Sequence, residues 1–152
     1  MRYKNEKEIA EVICTFEDAT IPRDVWKHAE HLTVALHYLT VHDIETATAK
    51  MRDGIFNLLT SGFGVDLSKE MPYHETLTIF WMRTVADFNA SKNGASFLEK
   101  ANELVAVYDK DYPLKFYTRD YLFSDEARAG FVEGDLESAF PFGNKLKVIS
   151  VK

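Results

Sequence analysis

Two short stretches hold the residues whose types and spacing could do chemistry: Trp26-Lys27-His28-Ala29-Glu30-His31 and Tyr73-His74-Glu75-Thr76-Leu77-Thr78. Imidazole nitrogens and a carboxylate are suitable ligands for zinc, iron, nickel or copper, provided three or four of them converge at about 2 Å. His28, His31, His74 and Glu75 are therefore the candidate ligands of a divalent transition metal, in a chain with five histidines in all. Such a metal would activate water, with Glu75 as a ligand or as a proton acceptor. The spacing of three between His28 and His31 allows shared coordination, but it is not the His-Glu-x-x-His pattern of a zinc protease.

These side chains need helices to position them. On a helix Asp24, His28, His31, Ala35 and Tyr38 fall along one lane, because residues three or four apart point the same way. Small Ala35 leaves room for a neighbouring helix carrying His74, Glu75 or Thr78. The expected product is a polar pocket between the second and fourth helices, lined by Trp26, His28, His31, Tyr38, Tyr73, His74, Glu75, Thr78 and Trp81. It would take a metal ion or a small ligand. A pocket without metal is the other arrangement, with Tyr38, Tyr73, Trp81 and Tyr117 around an anion held by Arg83, Arg119 or Arg128. Against both stands a packed core, in which helix-flanking imidazoles bond carbonyls and the aromatic rings only fill volume.

The apolar spacing predicts an all-α protein, a single-domain bundle of about five main helices. Ile9, Val12, Ile13 and Phe16 mark the first helix, over Asn5 to about Asp18, and Pro22 interrupts the pattern. The second runs from about Arg23 to Val41, with Lys27, Glu30, Thr33, His37 and Thr40 as its outward lane and the rest of its surface buried on more than one side. Asp43 caps a third, Ile44 to about Leu59, ending before Gly62, and Gly54 inside it marks a close helix crossing. Residues 61–72 read as a loop, and the fourth helix spans Tyr73 to about Phe88. Ser96 and Glu99 form a capping box ahead of the fifth. A short helix or turn follows Pro113, and a brief helix capped by Ser124 extends to about Val132. The domain is expected to cover residues 1–152, with 133–152 irregular or peripheral and the Lys145–Lys152 stretch a strand or a loose tail.

At 152 residues, the chain is long enough to bury a core without disulfides or a structural metal. A net charge of −6 with no Lys/Arg cluster argues against nucleic acid and anionic membrane surfaces as partners. The longest apolar stretches fall far short of the roughly 20 residues needed to span a bilayer. Charged residues at the start give no signal-peptide core, so a cytoplasmic protein is expected. The single cysteine, Cys14, reads as a small buried or semi-buried residue of the first helix.

The run Trp26-x-His28-x-x-His31-Leu32-Thr33-Val34-Ala35-Leu36-x-Tyr38-Leu39 and the later Tyr73-His74-Glu75-Thr76-Leu77-Thr78 resemble a group of small uncharacterised bacterial helical proteins. The similarity extends to the Leu122-Phe123-Ser124-x-x-Ala127-Arg128 region. The resemblance implies a helical fold and a common site lined by these motif residues, and it carries no activity with it. The second functional expectation is a noncatalytic interaction or structural domain, self-associating as a homo-oligomer through apolar surface.

Overall fold

A computed structural model describes residues 1–136, and among them the protein is all-helical, with no strand. The expected tail strand at 145–152 lies outside the described residues. Helix α1 spans Glu6–Glu17, α2 His28–Val41, α3 Ile44–Asn57, α4 Glu75–Ala90 and α5 Phe97–Val107. Two short helices follow, α6 over Arg119–Leu122 and α7 over Asp125–Ala129.

The helix starts are set by side chains that take up free first-turn amides. Asn5 accepts from the Glu8 amide at 3.0 Å and Asp43 from that of Thr46 at 2.8 Å. Ser96 and Glu99 form the reciprocal box, at 3.1 and 2.9 Å. The second helix starts at His28, five residues later than its apolar pattern suggests. After Pro22 the chain makes a turn, with the Val25 and Trp26 amides both donating to the Pro22 carbonyl. Lys27 is extended, and its amide donates to Glu30 Oε1 at 3.1 Å, so Glu30 fixes the first turn. The third helix continues as a π-helical turn over Leu58–Gly62 rather than ending before Gly62. There the backbone passes so close to residue 19 that a Cβ on Gly62 would sit 2.7 Å from the Ala19 carbonyl oxygen.

Helix α2 is central, packing on α1, α3, α4 and α5, and α4 packs in turn on α3, α5 and α7. Leu32, Thr33, Val34, Ala35 and Leu36 are all fully buried, so the middle of α2 has no solvent side. Its expected outward lane is therefore wrong at Glu30 and Thr33. The Tyr3 hydroxyl is hydrogen-bonded to Thr33 Oγ1 at 2.8 Å, and the Arg2 guanidinium pairs with the Glu30 carboxylate. Asn102 of α5 clips this N-terminal segment by accepting from the Tyr3 amide at 2.7 Å and donating to its carbonyl at 3.0 Å. Cys14, expected to be at least half-buried, is exposed.

The segment after α7 is laid across the start of α4. Thr76 Oγ1 donates to the Gly130 carbonyl at 3.0 Å and accepts from the Val132 amide at 3.1 Å. The Tyr117 hydroxyl donates to the Val132 carbonyl at 2.6 Å. Among the described residues no helix is long and apolar enough to cross a membrane.

The close crossing marked by Gly54 is between α1 and α3. A Cβ there would lie 2.5 Å from Cε2 and Cζ of Phe16, whose ring is fully buried. Gly54→Ala is expected to lower stability by about 1–3 kcal/mol through overpacking, against a helix-propensity gain of about 1 kcal/mol. Urea unfolding measures it. Equal or greater stability in the variant would show that Phe16 can move and that the crossing is not tight.

Candidate functional site

The turn before α2 and its first helical turn build one wall of a cleft. Trp26 stacks on Phe16, with ring centroids 4.8 Å apart, and meets the His31 ring edge-on at 5.8 Å. One turn apart on the same side are His28 and His31, as their spacing requires. The Nε2 of His28 donates to the Tyr108 carbonyl at 2.9 Å, and its ring lies 4.9 Å from that of Trp81 on α4. His31 is different: among the described residues neither of its ring nitrogens has a hydrogen-bond partner. Burial pushes this imidazole down to about 4, and the neighbouring His28 adds to the effect. It is uncharged at neutral pH.

The opposite wall comes from the start of α4. His74 is its N-cap, extended in backbone, with Nδ1 accepting from the Leu77 amide at 3.1 Å. Its Nε2 donates to the Leu122 carbonyl at 2.7 Å, so both ring nitrogens are engaged and the tautomer is fixed. Burial holds this imidazole below its ordinary range. Glu75 turns away toward α3, where Arg52 grips it through two hydrogen bonds of 3.0 and 2.7 Å. The Tyr73 hydroxyl donates to the same carboxylate at 2.6 Å. Partial burial opposes ionisation of Glu75, but the Arg52 fork and the Tyr73 donor outweigh it and keep the carboxyl below its usual range. Tyr73 itself is pushed up to about 12, by burial first and by the carboxylate it serves.

Between the walls lies a cleft of about 400 Å³. Seven of the nine residues expected from the sequence line it: Trp26, His28, His31, Tyr73, His74, Thr78 and Trp81. Six more complete the lining, Lys27, Ile55, Leu59, Pro72, Leu77 and Lys110. Ile55 and Leu59, four apart on the third helical segment, carry the spacing of a shared face. Lys110 comes from the loop after α5 and has no such signal.

Tyr38 and Glu75 do not line the cleft. Tyr38 lies ten residues beyond His28, about 15 Å along the helix axis, and its hydroxyl donates to Glu17 Oε2 at 2.8 Å beside the rings of His37 and His42. Glu75 follows His74 directly, and adjacent helical residues do not face the same way. The four-ligand metal set is therefore not assembled. Among the described residues no group of three or more His, Cys, Asp or Glu side chains is arranged to hold a metal ion. The arginine-based anion pocket is not formed either: Arg128 donates to the Met71 carbonyl at 2.9 Å, Arg83 lies 3.8 Å from Glu133, and Tyr117 is committed to Val132.

Two residues of the lining carry ring nitrogens without a partner among the described residues. The Trp81 indole N–H, like the His31 ring, has no partner among the described residues. The sole polar side-chain atom among them that is both sealed from solvent and unpartnered is Thr84 Oγ1. The free Trp81 and His31 nitrogens thus retain access to solvent. No family model, curated protein or solved structure matches the chain. The case for a site rests on this geometry.

The His31 environment has a measurable consequence. The unfolded chain takes up a proton on this imidazole near pH 6.5, whereas the folded ring refuses it down to about pH 4. Its contribution to stability is complete above about 6.5 and is lost as pH falls through about 4, a change on the order of 2 kcal/mol. His37 and His74, also lowered by burial, act with the same sign. Denaturant unfolding from pH 7 to pH 4 is expected to give a shallower decline in His31→Gln than in the wild type. Parallel pH profiles would place His31 in a freely solvated environment.

Proposed function

We propose that the protein binds a small organic molecule with a planar ring in the cleft between α2 and α4. What carries the reading is a ring-walled recess in which the Trp81 N–H and both His31 nitrogens have no partner among the described residues. Small-molecule sites are typically concave recesses of about 300–1,000 Å³, mostly apolar, with a few convergent polar groups. The volume, the aromatic walls and the unsatisfied nitrogens agree with that description.

Binding is favoured over catalysis because the lining has, among the described residues, no carboxylate, thiol or serine hydroxyl, and Thr78 Oγ1 donates to the His74 carbonyl of its own helix at 3.1 Å. A planar guest is favoured because Trp26, His28, His31, Tyr73 and Trp81 offer ring faces and edges, where stacking adds about 0.5–1.5 kcal/mol beyond area burial. A metal ion is the weaker reading, since His28 and His74 already spend ring nitrogens on carbonyls. Self-association has no specific observation in its favour.

Both tryptophans of the chain line the cleft, so intrinsic fluorescence reports its occupancy directly. A panel of planar one- and two-ring fragments is expected to yield members that change this emission saturably and raise the melting temperature. His31→Ala should weaken those members about three- to tenfold, the value of one hydrogen bond. Ile55→Phe should fill the cleft and abolish the response while circular dichroism stays helical. A panel with no saturable member at millimolar concentration, or hits indifferent to both substitutions, would contradict the proposal.

A further inference from the structure

We infer that the occupant of this cleft is an anion, a planar aromatic or heteroaromatic body bearing a carboxylate that stays at the mouth. This deepens the binding reading and rests on it. Three observations support the sign of the charge. The side chains in the lining that carry full charge at neutral pH are the ammonium groups of Lys27 and Lys110, both on exposed residues at the rim. Glu75 is held by Arg52 and Glu30 by Arg2, which offsets their charge, and Asp109, next to Lys110 in the chain, accepts from the Asp111 amide. Asp111 lies 3.5 Å from the Lys110 ammonium in full solvent, where such a pair is easily exchanged.

The interior groups agree. Trp81 is a donor and cannot accept, and a neutral His31 presents one donor and one acceptor. A guest with acceptors pairs with the Trp81 N–H and the His31 N–H, whereas an ammonium or guanidinium guest would leave the indole N–H unpaired and face two lysines. Depth gives the orientation. Trp81 is almost wholly buried while Lys27 and Lys110 are exposed, so the ring enters first and the charge remains between the ammonium groups.

The test uses quinoline-6-carboxylate, whose ring nitrogen is an acceptor at the end opposite the carboxylate, and its neutral counterpart quinoline-6-carboxamide, titrated by tryptophan fluorescence against the wild type and against K27Q/K110Q. The wild type is expected to bind the acid about tenfold more tightly than the amide, and raised salt should weaken the acid alone. In the double variant that preference should fall to within about twofold, chiefly through lost affinity for the acid; both lysines are exposed, so folding is not at stake. An amide bound as tightly as the acid, or a preference that survives loss of both lysines, overturns the inference while leaving a binding cleft. Failure of both compounds to change the emission of the wild type overturns the inference together with the binding reading beneath it.

Discussion

The complete enclosure of the middle of α2 is the constraint from which the rest of the structure follows. Five consecutive residues, Leu32 to Leu36, have no exposed surface, which requires neighbours on every side: four helices and, over Thr33, the N-terminal segment carrying Tyr3. Burying each large apolar side chain contributes about 1.5–3 kcal/mol, and a helix so enclosed cannot hold unpaired polar groups along its middle. Polar residues on α2 are therefore confined to its ends or matched one by one. Glu30 has Arg2, Tyr38 has Glu17, and the first-turn imidazoles meet the start of α4.

That confinement shapes the chemistry. Where the two helix starts come together, free backbone groups are unavoidable, and His28 and His74 are used to satisfy them: His28 by donating to the Tyr108 carbonyl, His74 by capping α4 and donating to the Leu122 carbonyl. Packing at such a junction is less complete than between helix middles, and a recess is left. His31 and Trp81 line it, and their nitrogens have no partner among the described residues. Desolvation then keeps His31 neutral, which suits recognition by directed hydrogen bonds rather than by charge.

Much of this was legible in the sequence, for identifiable reasons. Asp43, Ser96 and Ser124 announce helix starts because capping is local, and Gly54 announces a crossing because only a missing side chain allows that approach to Phe16. Two windows of aromatics and histidines pointed to seven residues that share one cleft. The failures were of another kind. Lys27 to Thr40 shows a polar lane that would face solvent on an isolated helix, but Tyr3 and Arg2 cover part of it from far away in the chain. The start of α2 was misplaced because Val25 and Trp26 continue the apolar pattern through what is a turn. Glu75 was assigned to the pocket from its neighbourhood to His74; its partner Arg52 lies 23 residues earlier, on another helix. Lys110 reaches the cleft from a loop, where periodicity has nothing to say.

The most direct test of the cleft as a ligand site uses the five histidines as their own controls. His28 and His31 line it, while His37 and His42 sit with Tyr38 toward the far end of α2. Ring-nitrogen NMR spectra recorded during a titration with quinoline-6-carboxylate are expected to show saturable shifts at His28 and His31 and none at His37 or His42. Unmoved signals at positions 28 and 31, or equal movement of all four, would contradict the account.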